Sequence, residues 1–221
     1  MNLKKTLRRI TGEIIYRLKP KRASSALTRQ QDPLFDAIHP GDLVIDCGAN
    51  VGIVTDILAK KGAEVHAFEP NPDAFQALSA RFSNHPQVHL YPQAAMDKAG
   101  QMTLYLHLNY NRDPQRFSQG SSLIAEKRNV NDTTGVDVET IDLATFITEL
   151  NRPVKLLKLD VEGSEYAILN RLIETNAIEN IEKVIVETHA RSIPSLKAAD
   201  KALREQIQKL GLESKIDLDW I

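Results

Sequence analysis

The chain has 221 residues (24.7 kDa), of which 42% are hydrophobic, 26% charged and 5% aromatic; this excludes a disordered or fibrous polypeptide and is long enough for one full core. No stretch approaches the roughly 18 consecutive apolar residues of a membrane span. Cys47 is the sole cysteine, which excludes an intrachain disulfide and cysteine-rich zinc sites and fits a reducing, cytoplasmic setting.

The net charge of −1 hides an asymmetry: residues 1–29 hold nine Lys and Arg against Glu13 alone, a net +8, so the remainder carries −9. That contrast divides the chain into a basic arm with its linker, residues 1–30, and a body, residues 31–221. In the arm, Leu3, Leu7, Ile10, Ile14 and Leu18 fall on one helical stripe flanked by Lys4, Lys5, Arg8 and Arg9. The stripe either packs on the body or lies on an anionic surface, so residues 1–22 are a candidate contact for a membrane periphery or a partner. There is no secretory signal pattern, and Pro20 closes the helix.

The body alternates strand and helix. Leu43-Val44-Ile45 reads as a buried strand, Val51 to Lys61 as a helix closed by Gly62, and Val65 to Phe68 as a second strand. Asn71-Pro72 supplies an N-cap and a first-turn proline for a helix with Phe75, Leu78 and Phe82 on one face, and Val88 to Tyr91 is a third strand. From about Ala94 to Asn151 the rhythm breaks. Met102 to Leu108 and Val136 to Ile141 alternate like exposed strands, Asn109 to Ser122 reads as a long polar loop, and Leu143 to Leu150 is a short helix. The alternation returns with a strand at Val154 to Val161, a helix at Glu165 to Ile173 and a strand at Val184 to Val186. A periodic helix follows at Ser195 to Leu210, with Gly211 as its cap, and a terminal strand from about Lys215. The pattern predicts an α/β fold with a mostly parallel sheet and helices on both faces.

Asp46-Cys47-Gly48-Ala49-Asn50-Val51-Gly52 stands where the first strand meets the first helix, the usual ligand crevice of an open parallel sheet. Glu69 ends the second strand, where an acid takes both hydroxyls of a ribose, so the expected ligand contains adenosine. The dinucleotide fingerprint wants glycine at the first, third and sixth loop positions; counted from Gly48, the last two are Asn50 and Ile53. Asp46 at the mouth would repel a pyrophosphate and attract the ammonium and sulfonium of S-adenosylmethionine, a difference of about 4 kcal/mol for unit charges 4 Å apart at an effective dielectric near 20. Further along, strand periodicity puts Lys158, Asp160 and Glu162 on one side of a strand exit, and Glu187-Thr188-His189 ends the next strand. The expectation is a site wall in which Asp160, Glu162 or His189 orients or deprotonates an acceptor. The competing reading makes Lys158–Asp160 an internal ion pair and Glu165 a favourable charge at a helix N-terminus. Arg112 and Arg116 are candidates for attracting an acidic acceptor.

These segments, together with Ala94-Ala95-Met96-Asp97, Ser121-Ser122-Leu123 and Lys158-Leu159-Asp160-Val161-Glu162-Gly163-Ser164-Glu165, resemble the FkbM-type methyltransferases in order and spacing from about Gly41 to His189. The resemblance implies a class I, Rossmann-like fold that uses S-adenosylmethionine to methylate hydroxyls of sugars, glycans or small natural products. It implies that Asp46, Gly48, Ala49, Asn50 and Gly52 border the methionine part, that Glu69 and Asn71 lie at the ribose, and that Ala95, Met96 and Asp97 lie at the adenine. Lys158, Asp160, Glu162 and His189 would face the acceptor; no metal site is expected. Two features depart from the family pattern: the basic arm, and a C-terminus with room for one strand where such folds commonly carry a hairpin. The rival readings are a nicotinamide-dependent oxidoreductase and a non-catalytic module that binds an adenosyl ligand. Nucleic-acid methylation is disfavoured because Asp160-Val161-Glu162-Gly163 stands where base-methylating enzymes carry Asn/Asp-Pro-Pro-aromatic, and because the body carries −9.

Overall fold

A computed structural model describes residues 33–220; the basic arm and its expected helix lie outside the described residues. Six parallel strands form the main sheet: β1 (Leu43–Cys47), β2 (Glu64–Phe68), β3 (Val88–Tyr91), β7 (Val154–Leu159), β8 (Ile181–Val186) and β9 (Ile216–Asp217). Their order is β3-β2-β1-β7-β8-β9. A smaller sheet, in the order β4-β6-β5, is made by β4 (Ala94–Met96), β5 (Gly100–His107) and β6 (Val130–Asp142). The helices are α1 (Ile53–Lys60), α2 (Pro72–Phe82), α3 (Pro114–Phe117), α4 (Leu143–Leu150), α5 (Glu165–Glu174) and α6 (Lys197–Leu210).

Alternation along the strands feeds two cores. Val44, Val65, Ala67, Leu156 and Ile185 pack on Val54, Ile57 and Leu58 of α1 and on Leu78 and Phe82 of α2. The opposite face, with Ile45, Phe68, Leu157, Leu159 and Val184, packs on α4, α5 and Leu203 and Ile207 of α6. The result is the Rossmann-like arrangement expected, with helices on both faces. Its strand order reverses between β1 and β7, so a crevice opens beyond their carboxyl ends. Dinucleotide-binding folds share this order, so the chemistry of the crevice must separate an adenosyl from a nicotinamide pocket.

Several sequence expectations hold locally. Asn71 caps α2 by accepting from the Asp73 and Ala74 N–H groups, and Gly211 ends α6 with φ of 68°. Others shift. The strand expected to run through Val161 stops at Leu159 because the chain turns, with Glu162 and Gly163 at φ of 56° and 122°. The expected loop at 109–122 folds into short helical turns at Tyr110–Arg112, Pro114–Phe117 and Ser118–Gly120. Leu210, the last residue of the periodic helix, is 50% exposed, whereas Leu203 and Ile207 are buried and Leu196 and Ala199 pack partly buried against the core. The terminal strand is two residues long and lies parallel on β8. Among the described residues no helix is long and apolar enough to cross a membrane.

Candidate active site

The crevice is a cleft of about 280 Å³. Its first wall is the turn after β1. The Gly48 and Ala49 N–H groups both donate to the Phe68 carbonyl at 2.9 and 3.0 Å, which ties the loop to the end of β2. Gly48 has φ of 76°, and a Cβ there would lie 1.9 Å from the Asp160 carbonyl oxygen, so only glycine lets β1 and the end of β7 approach this closely. Glu69 is buried beside this loop. Its carboxylate accepts from the Asn50 N–H and the Asn71 N–H, each at 2.8 Å, leaving the remaining lone pairs for a ligand. Burial pushes its pKa up to about 7, against the two N–H groups that favour the ionised form.

The opposite wall is built from charge. Lys158 is buried on β7, with its ammonium 3.0 Å from Asp46 Oδ1 and 3.8 Å from Asp160 Oδ2, and it donates to the Gly48 carbonyl at 2.8 Å. Asp46 itself is fully buried and accepts from Thr55 Oγ1 at 2.7 Å. Asp160, which lines the cleft, has its carboxyl pushed up to about 6 by burial, opposed by Lys158 and reinforced by Glu187 and Glu162. Beyond it, His189 Nε2 lies 3.0 Å from Glu162 Oε2, and its Nδ1 lies 3.3 Å from Glu165 Oε1. Burial opposes the charged imidazole, but these two carboxylates prevail and raise its pKa to about 10. Glu165, completely buried at the start of α5, also accepts from the Gly163 and His189 N–H groups, each at 2.8 Å. Lys127 reaches in from the segment before β6 to pair with Glu162 and donates to the Gly120 carbonyl at 3.0 Å.

The family model described as the methyltransferase FkbM domain matches residues 46–213. The chain belongs to the FkbM methyltransferase family. It is similar to hexuronic acid methyltransferase AglP of Haloferax volcanii, at 29% identity over 94% of this chain and 78% of that protein. It is also similar to 31-O-demethyl-FK506 methyltransferase FkbM of Streptomyces tacrolimicus, at 32% identity over 69% of this chain and 67% of that one. A solved rRNA methylase from Streptococcus thermophilus aligns at 12% identity over 86% of this chain and 80% of its own, with a TM-score of 0.43. The cofactor of this FkbM-family domain is therefore S-adenosylmethionine.

The cleft fits that cofactor. Asn50 Oδ1, which belongs to the cleft lining, is buried and has no hydrogen-bond donor among the described residues, an acceptor suited to an ammonium. Gly48, Ala49, Asn50, Glu69, Asn71 and Ala95 all line the cleft, as do Lys158, Asp160 and Glu162. Five expected residues do not. Asp46 turns away toward α1, where it accepts from Thr55, and it pairs with Lys158 of β7, so the carboxylates that face the cleft are Glu69, Asp160, Glu162 and Glu187. Gly52 is a packing glycine: a Cβ there would meet Phe82 at 2.5 Å and Leu78 at 2.7 Å. Met96 and Asp97 lie beyond the lining at the end of β4. His189 stands behind Glu162 and, as an imidazolium, is not the near-neutral base that the sequence suggested. Sequence reading missed Lys127, whose setting of Glu126-Lys127-Arg128 looks like a solvated charge run, and Ser118, whose hydroxyl accepts from Asn50 Nδ2 at 2.9 Å. Arg112 is exposed, away from the cleft lining.

Proposed function

We propose that the chain O-methylates a hydroxyl of a sugar, glycan or small natural product by in-line displacement. Both relatives carry names that point to such acceptors, a hexuronic acid in one and 31-O-demethyl-FK506 in the other. When bound, S-adenosylmethionine supplies a methyl group already activated on a sulfonium. The protein's task is then to bring the acceptor oxygen into line and to take its proton.

In this reading Asn50 accepts from the ammonium of the methionine part, Glu69 accepts from the ribose hydroxyls, and Ala95 packs on the adenine, with Met96 and Asp97 following it at the end of β4. Asp160 is the base. Its pKa of about 6 leaves it ionised at neutral pH yet basic enough to share a hydroxyl proton in the transition state. Lys158 acts through Asp160: it anchors that carboxylate and the Gly48 carbonyl to one ammonium. Glu162 and His189 form the outer acceptor wall. Carboxylates outnumber cations around that wall, which favours a hydroxyl-rich neutral acceptor over a polyanion. The basic arm, residues 1–30, stands as an addition to this catalytic body on the strength of its charge, with an anionic surface or a partner as its target.

The observation that carries the reading is the ionisable Asp160 carboxylate facing the cleft one residue beyond β7. Release of S-adenosylhomocysteine, measured across a panel of neutral sugars, uronic acid glycosides and macrolide alcohols, tests it. Asp160→Asn is expected to lower kcat by roughly 10²–10⁴-fold while leaving affinity for S-adenosylhomocysteine unchanged. Turnover at the wild-type rate in that variant would refute the role of Asp160.

A further inference from the structure

Away from the cleft, the described residues hold another cluster that joins histidine and carboxylate ligands. Parallel pairing puts His66 of β2 beside His89 of β3, with ring centroids 4.7 Å apart. Glu64, two residues back on β2, shares their face of the sheet. Its Oε1 lies 3.3 Å from His66 Nε2 and 3.8 Å from His89 Nε2. One ligand atom from each residue lies within 4.8 Å of the others. Around a tetrahedral zinc with bonds of about 2.0–2.1 Å, ligand atoms stand about 3.4 Å apart. Two of the three separations are thus close to what a metal needs, and rotation of the exposed His89 side chain closes the third.

We propose that Glu64, His66 and His89 form a binding site for a divalent transition metal of the zinc type, with its fourth position open to water. The groups behind the ligands support this. The Tyr91 hydroxyl lies 2.8 Å from His66 Nδ1, which fixes the ring and leaves Nε2 for the metal. Arg152 holds Glu64 Oε2 at 2.8 Å, which leaves Oε1 turned to the two imidazoles. Such outer partners are what orient first ligands in metal sites. The cleft cluster of Asp160, Glu162 and His189 has comparable spacing but a different charge state. There Lys127, Lys158 and the His189 proton already compensate the carboxylates, and a metal would have to displace them. At Glu64 the cation in contact among the described residues is Arg152, on the far oxygen.

Glu64 opens β2, whereas the cleft lies beyond its other end, about 16 Å away at roughly 3.3 Å per residue. A metal here takes no part in methyl transfer; it clamps the edge strand β3 onto β2. The test uses the full chain stripped by chelator, titrated with Zn²⁺ by calorimetry and with Co²⁺ by visible absorption. The wild type is expected to take up one equivalent and to melt at a higher temperature with zinc. His89→Ala, at an exposed position, and Glu64→Gln, the near-isosteric second variant, are each expected to lose that equivalent, while Asp160→Asn keeps it. Absence of zinc binding in the wild type overturns the proposal. So does full uptake by both His89→Ala and Glu64→Gln, or loss of the equivalent in Asp160→Asn.

Discussion

On the wall proposed to hold the methyl donor, the donor wall, the groups that matter are close in sequence: the Gly48 turn, the Asn50 and Asn71 N–H groups, and Glu69 held between them. On the acceptor wall they come from three separate segments, with Lys158 and Glu162 at the end of β7 and in the turn after it, His189 after β8 and Lys127 before β6. The donor wall is fixed by backbone geometry; the acceptor wall is fixed by neutralising buried charge. A backbone-built wall tolerates almost no change in shape, whereas a charge-built wall tolerates changes in shape better than changes in protonation. That contrast predicts different failures on the two sides.

The largest effect is expected at Gly48. An alanine there must find room for a Cβ 1.9 Å from the Asp160 carbonyl and hold a φ of 76°. Left-handed strain and overpacking together cost about 2–6 kcal/mol. Chemical denaturation should show that loss, and S-adenosylhomocysteine binding should disappear with it. A Gly48→Ala variant of wild-type stability would mean that the donor wall is not fixed by backbone contact.

Next in size is Glu69. Its replacement by Gln removes the charged acceptor proposed for the ribose and should weaken S-adenosylhomocysteine by about 10–100-fold, since hydrogen bonds to charged groups are worth about 1.5–3 kcal/mol. The pH dependence sharpens the point. With a folded pKa of about 7 against an ordinary 4.5, Glu69 keeps its proton in the fold after the unfolded chain has lost it. Its contribution to stability therefore falls as pH rises from about 4.5 to 7. Because ribose hydroxyls donate best to the ionised form, wild-type affinity should climb about tenfold between pH 6 and pH 8. Calorimetric titration of Glu69→Gln should give a flat profile over the same range; an equally steep one would dissociate Glu69 from the ribose.

The same contrast explains what the sequence reveals. Gly48, Asn50 and Glu69 are legible because a glycine turn and a strand-end acid act through spacing, and spacing is written locally. The six parallel strands follow from apolar runs separated by helices, and Asn71 and Gly211 mark helix ends by their own chemistry. Asp46 misleads because its position predicts a strand end but not which way the side chain turns; Thr55, nine residues on, draws it toward α1. His189 misleads for a related reason: its proton is held by Glu162 and Glu165, and no local pattern encodes a partnership across 24 residues of chain. Lys127 is invisible for the same reason.

The smallest expected effect, at Lys127, probes the charge-built wall. Burial favours the neutral form of Glu162, yet Lys127 and His189 together hold its pKa below the ordinary value. A carboxylate shifted this way stabilises the fold above its unfolded pKa of about 4.5, and that contribution fades as the pH falls. Lys127→Met removes one of the two cations and leaves His189 in place. The loss at pH 7 should be about 1 kcal/mol, at the low end for a buried charge deprived of one partner. Once the pH is low enough to protonate Glu162 in both proteins, the two denaturation curves should converge. Had Lys127 served only as packing for the Gly120 turn, the gap would persist unchanged at acid pH. Convergence would instead show that the acceptor wall is held by a balance of charge that the donor wall, tied through N–H groups, does not need.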